Sequence, residues 1–238
     1  MDPILSYTRS KQKEIIAFLG ALVECESPSG DAQAIENFAR IIEDRVRPFA
    51  RTRRIRGGTS GPHLQCEFDL PGPVKKGRLL ALGHSDTVYP SGTLPRMPFR
   101  QSKGRLWGPG VLDMKGGIAF FIFAMEALRD LKIPVARNVI LQLNSDEEVG
   151  SHSSRSLTEK EARRSVAVLV LEPGTGLEGR PKTARKGVGD YTLAVHGRAA
   201  HAGIDFMAGA SAILELSRQI ASIAGFTRLD RGITVNPG

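Results

Sequence analysis

Leu79-Leu80-Ala81-Leu82-Gly83-His84-Ser85-Asp86-Thr87-Val88 is the stretch on which the reading of this chain turns. Four consecutive apolar residues make a compact run suited to a buried strand. The run ends in a histidine and a carboxylate two positions apart, and in extended backbone such residues share a face. A metal-ligating histidine usually gives its other ring N–H to a carboxylate. His84 and Asp86 fit that pair, and a surface histidine beside an aspartate fits it too.

Three further segments repeat the theme. Gly108-Pro109-Gly110-Val111-Leu112-Asp113-Met114-Lys115-Gly116-Gly117 sets Asp113 just ahead of a glycine-rich helix start, where it could bind a cation or cap the helix. Its glycines do not form the G-x-G-x-x-G pattern of a dinucleotide loop. Asn144-Ser145-Asp146-Glu147-Glu148-Val149-Gly150 follows the apolar run Val139–Leu143. Adjacent carboxylates repel one another unless a cation or a shared proton compensates. One can ligate a metal while the other acts as a general base. Val168-Leu169-Val170-Leu171-Glu172-Pro173-Gly174 places one carboxylate after a very apolar run. In open α/β sheets ligands bind beyond the carboxyl ends of the strands. One imidazole and several carboxylates form a donor set suited to zinc, with cobalt or manganese possible. No serine or cysteine nucleophile arrangement accompanies them.

The rest of the chain fits around these segments. Ile15, Ile16, Phe18, Leu19, Leu22 and Val23 lie on one face of a helix that Ser27-Pro28-Ser29-Gly30 ends. Asp31 caps a second helix carrying Ile35, Phe38, Ile41 and Ile42. Ile118–Leu128, apolar on nearly every side, reads as a central helix, and Val139–Leu143 and Val166–Leu171 as buried strands. The alternation predicts an α/β sheet layered by helices. Past Gly174 a glycine-rich patch reads as a linker, with a boundary near Arg180 dividing residues 1–180 from 181–238. Val188–Val195 then alternates as a half-buried strand, and Met207–Ile223 as an amphipathic helix.

The chain has 238 residues and a net charge of +8, from 33 basic and 25 acidic side chains. The run Arg51-Thr52-Arg53-Arg54-Ile55-Arg56 reads as a solvated edge strand, since no aromatic-interleaved basic platform accompanies it. Nucleic acid is not an expected partner. The opening residues lack the pattern of a signal peptide, and no apolar stretch is long enough to span a bilayer. Two cysteines, Cys25 and Cys66, make no disulfide scaffold and suit a cytoplasmic protein.

In the stretches GHSDTVYPSGTL, LWGPGVLDMKGG, NSDEEVGSHSSR and GRAAHAG the chain resembles the di-zinc metallopeptidase and deacylase family of glutamate carboxypeptidase, acetylornithine deacetylase and succinyl-diaminopimelate desuccinylase, leaning toward the first. The resemblance runs from about Ser27 to Gly238. It implies a three-layer zinc-exopeptidase-like catalytic domain with a mixed sheet, followed by the start of an α+β lid and dimerisation domain. His84, Asp113 and Glu172 would hold one zinc, and Asp113 would bridge to a second held by Glu148. Asp86 would orient His84. Glu147 would be the general base that takes a proton from a water activated between the metals. The peptide bond after Asp113 would be cis. His201 would stabilise the oxyanion across a homodimer interface.

The implied activity is hydrolysis of an amide bond in a small peptide or N-acyl amino acid, releasing a C-terminal glutamate-like residue. Family members are longer: their chains return from the lid domain to supply one more histidine ligand. This sequence is therefore expected to be the N-terminal portion of such an enzyme. Alternatives are an N-acyl amino acid deacylase and a catalytically incompetent metal-binding fragment. His152 is not expected to replace the absent ligand, and His63 and His196 carry no assignment.

Overall fold

The structure is a computed structural model describing residues 2–73 and 75–238. The chain divides into two units, residues 1–182 and 183–238. The first begins with three helices: α1 (Pro3–Ser10), α2 (Gln12–Glu24) and α3 (Ala32–Val46). Helix α2 buries Phe18, Leu19, Leu22 and Val23 and ends where Cys25 turns extended, ahead of Pro28. Asp31 caps α3 by accepting the Ala34 N–H at 2.9 Å. Strands β1 (Ala50–Ile55), β2 (His63–Phe68) and β3 (Arg78–His84) follow, then a two-stranded ribbon of β4 (Arg100–Ser102) and β5 (Arg105–Trp107). Helix α4 (Gly116–Asp130), β6 (Asn138–Asn144), α5 (Arg155–Arg163) and β7 (Ala167–Val170) complete the unit.

The five-stranded sheet has the order β1-β2-β6-β3-β7. β1 pairs antiparallel with β2, and β2 antiparallel with β6, whereas β3 runs parallel to both β6 and β7. The sheet is therefore mixed. Alternate residues of its strands (Leu64, Cys66 and Phe68; Ala81; Val139, Leu141 and Leu143) join α2, α3 and α4 in one hydrophobic core. The opposite face carries a polar network beside buried Leu80 and Ile140. Gln65 donates to Gln142 at 2.9 Å, and Gln142 donates to Asn144 and to Thr158 of α5. This side-chain ladder satisfies amides that burial would otherwise leave unpaired. β1 is the solvated, arginine-rich edge that the sequence suggests, with Arg54 paired to Glu36 and Glu43 of α3.

Two expectations need correction. Val166–Leu171 is not a buried strand, because all four residues of β7 are exposed. β7 hydrogen-bonds to β3 alone and forms the sheet's other edge, outside the hydrophobic core. Its apolar run matches that of a covered parallel strand, and sequence alone does not distinguish the two. Val188–Val195 is not a strand either: residues 181–197 have no regular structure. A strand exists only through its ladder, and these residues pair with none of the others described. The second unit holds one helix, α6 (Ala212–Ala224), capped by Ser211, and two isolated bridges, Arg198 with Ala210 and Arg228 with Ile233. Helix α6 is shorter than the segment Met207–Ile223 because Phe206–Ala208 forms a separate short turn. No helix among the described residues is long and apolar enough to cross a membrane.

The core assignment predicts a contrast in unfolding by denaturant. Leu141→Ala, at a fully buried position, should cost about 2–5 kcal/mol. Val168→Thr, on the exposed edge strand, should change stability by less than about 1 kcal/mol.

Candidate metal centre

His84 is the last residue of β3, buried at the carboxyl end of the sheet. Its Nδ1 lies 2.8 Å from the main-chain oxygen of Asp86 and 3.5 Å from the Asp86 carboxylate. A carbonyl oxygen can only accept, so Nδ1 carries a proton and Nε2 is the atom that faces the cluster. The contact differs from the expected carboxylate pairing, because the tight turn at Ser85 brings the Asp86 backbone, rather than its side chain, closest to the ring. Nε2 lies 3.1 Å from Asp113 Oδ1, 3.3 Å from Glu172 Oε1 and 4.0 Å from Glu147 Oε2. His84, Asp113 and Glu172 bring one ligand atom each within 4.8 Å of one another.

Three different elements converge here. Asp113 sits in a wide turn closed by the Lys115 N–H on the Gly110 oxygen at 2.9 Å, and the Asp113–Met114 peptide is cis. Asp113 is not the cap of α4, whose N-cap position belongs to Lys115. Gly110 starts the turn at φ 69°, and a Cβ there would lie 2.9 Å from Thr87 Cγ2, so only glycine fits. Gly117, in the first turn of α4, has no room for a Cβ against the Leu171 carbonyl oxygen. That close approach brings the Asp113 turn beside Glu172. The buried Lys115 amine donates to the Cys25 carbonyl at 3.0 Å and anchors the same turn to the end of α2.

Asp86 works on the other side. Its carboxylate accepts from Ser29 Oγ at 2.8 Å and from the main-chain N–H groups of Glu147 and Glu148, each at 3.2 Å. Burial would raise its pKa, but His84, Ser29 and these amides hold it below the usual carboxylate range. Burial would likewise lower the His84 pKa, yet the carboxylates of Asp86 and Glu172 push it up to about 11. Contact with His84 keeps Glu172 ionised, so its pKa falls. Glu147 and Glu148 shift the other way: burial and repulsion from neighbouring carboxylates raise both. Glu148 and His152 lie outside the three-residue cluster. His201 is exposed in the second unit, where its Nδ1 accepts the Gly203 N–H at 3.1 Å.

The chemistry of the donor set suits a divalent cation. One imidazole nitrogen and two carboxylates converge within reach of a single ion, and further carboxylates crowd the same space with raised pKa values.

Sequence reasoning missed the support beneath the acidic loop. His63 Nδ1 accepts the Ser145 N–H at 3.1 Å, so its proton lies on Nε2, which faces Ser153 Oγ at 3.2 Å. Ser153 in turn donates to Asp146 at 2.7 Å, and the N–H groups of Ser153 and Ser154 point to the same oxygen. These residues lie up to 90 positions apart, and no local pattern links them. Only the polarity of a strand's first residue hinted at it.

With this geometry described, comparison with known proteins places the chain. A family model described as peptidase family M20/M25/M40 matches residues 80–231. The chain belongs to that family. Carboxypeptidase G2 from Pseudomonas sp. (strain RS-16) is 31% identical over 213 residues, 87% of this chain and 50% of its own length. The chain thus spans half the length of that relative. Two solved structures share the fold. Human carnosine dipeptidase 1 superimposes with a TM-score of 0.62 at 22% identity, over 71% of this chain and 40% of its own. A tripeptidase from Staphylococcus aureus subsp. aureus gives 0.65 at 15% identity, over 89% and 56%.

The His63 network predicts a pH dependence of stability. Burial lowers the His63 pKa despite the opposing charges of Asp146 and Asp86. A histidine kept neutral in the fold contributes stability that is present above its unfolded pKa, about 6.5, and lost as pH falls through the folded value. Denaturant unfolding between pH 8 and pH 5 should show that loss. His63→Gln should be less stable at pH 8 but flatter with pH.

Proposed function

We propose that this protein hydrolyses an amide bond in a small peptide or N-acyl amino acid, releasing a C-terminal glutamate-like residue. The observation that carries the reading is the convergence of His84, Asp113 and Glu172 at the strand ends. These three would hold one zinc ion, and Asp113 with Glu148 would contribute to a second. When bound, zinc supplies Lewis-acid polarisation of the scissile carbonyl and a lowered pKa for the attacking water.

The chain's own residues do the rest. Asp86 fixes His84 through its main-chain oxygen and the acidic loop through its carboxylate. Glu147, its pKa raised by burial and by neighbouring carboxylates, takes the proton of the attacking water and passes it to the leaving amine. His201 of a second copy would face the developing oxyanion, making the working form a dimer through the second unit in the cytoplasm. The 31% identity to carboxypeptidase G2 supports a carboxypeptidase over an N-acyl amino acid deacylase. A second reading, one metal bound without turnover, draws on Glu148 lying outside the cluster.

Elemental analysis together with hydrolysis of an N-acyl-glutamate separates these readings. Two zinc ions per chain with turnover support the enzyme, whereas one ion without turnover supports the second reading. In an active protein, Glu147→Gln should keep its zinc and lose at least about 100-fold in kcat. Asp113→Ala should empty both metal positions, and retention of two zinc ions would refute its bridging role.

A further inference from the structure

A cavity of about 520 Å³ opens beside the metal centre, and Asp113 forms part of its wall. Its other walls include Tyr89, Arg96, Met97, Arg100 and Trp107. The volume lies in the range of small-molecule sites, which combine apolar walls with a few placed polar groups. Arg100 and Trp107 face each other across β4 and β5, and the guanidinium carbon lies 4.8 Å from the ring centroid. That stacking holds one cationic group in a set orientation at the pocket wall. Among the described residues no carboxylate lies within ion-pair distance of Arg96 or Arg100. Elsewhere in the first unit Arg45 pairs with Glu126 and Arg78 with Glu161. Two arginines without acidic partners thus line a cavity that adjoins a metal-binding carboxylate.

We propose, resting on the hydrolytic reading above, that this cavity is a specificity pocket for a substrate group with an apolar stem and a carboxylate end. The stem packs on Trp107, Tyr89 and Met97, and the carboxylate meets the guanidiniums of Arg96 and Arg100. Guanidinium offers paired N–H donors matched to the two carboxylate oxygens. Asp113 lines the end of the cavity at the metal centre and the two arginines line another part of its wall, which sets the occupant's direction: charge at the arginines, remainder toward the metal centre. A neutral isostere of the same shape leaves both guanidiniums without a partner and binds more weakly.

Trp107 is the chain's only tryptophan, so its fluorescence reports on the pocket without metal or turnover. The probes are phenylbutyrate and its carboxamide, phenylbutyramide, titrated against the 238-residue chain. Phenylbutyrate should give a saturable change in emission, and the amide should bind at least about tenfold more weakly. Arg96→Gln should weaken phenylbutyrate about tenfold, and Arg96→Lys should recover part of the loss. Arg40→Gln, on exposed α3, serves as the control for general charge and should not alter it. Equal affinity for acid and amide, or no effect of Arg96→Gln, overturns the pocket. Discrimination by Trp107 without any hydrolysis would instead remove the proposed function and leave the pocket standing. Hydrolysis without discrimination would remove the pocket alone.

Discussion

Asp86 is 1% exposed, and its two carboxylate oxygens take up Ser29 Oγ and the amides of Glu147 and Glu148 while its main-chain oxygen holds the His84 ring. A buried charge is costly unless paired and hydrogen-bonded. Here each bond that compensates Asp86 also positions a part of the site. Ser29 belongs to the loop between α2 and α3, His84 to the end of β3, and Glu147 and Glu148 to the loop after β6. Removing the carboxylate would therefore release the Ser29 loop and the acidic loop together and leave amides unsatisfied, an asymmetry that exceeds the net worth of any one hydrogen bond.

This dependence accounts for the position of the site in the fold. β3 and β6 run parallel with His84 opposite Asn144, so the two loops that carry His84–Asp86 and Glu147–Glu148 leave the sheet side by side. β7 runs parallel on the other flank of β3 and delivers Glu172 to the same end. Parallel pairing puts all three strand ends on one edge, as in other α/β sheets that bind ligands beyond their carboxyl termini. The α4 turn then enters from the core side, where Gly117 permits the approach and Lys115 ties the turn to α2.

Much of the first unit was legible because its signals are local. The apolar periodicity of α2, the cap at Asp31, the Gly116-Gly117 start of α4 and the uninterrupted apolar run of β6 each state their structure within a few residues. The convergence of His84, Asp113 and Glu172 was legible only as an ordered set, since each segment alone has an ordinary explanation. What was not legible depends on partners distant in sequence. The exposure of β7 depends on what covers an edge, and the irregular course of 181–197 on the lack of a ladder partner among the described residues. The His63–Ser153–Asp146 chain joins residues from β2 and the acidic loop, and nothing in either segment announces the other.

The clustering of acids also separates the requirements of folding from those of function. Asp86, Asp113, Glu147, Glu148 and Glu172 all act electrostatically around one imidazole. A sequence chosen for stability alone would not place five carboxylates about a single histidine, because like charges at this range oppose compaction. The protein tolerates the arrangement by giving Asp86 its donors and by setting the His84 ring among the carboxylates, which raise its pKa. Glu147 and Glu148 receive only partial compensation from His84, and burial and the neighbouring carboxylates leave their pKa values raised. The cost is concentrated on two carboxyls at the open end of the sheet, where a divalent cation would offset it most directly. That is the physical ground for reading the cluster as a metal centre, independent of any likeness to other proteins.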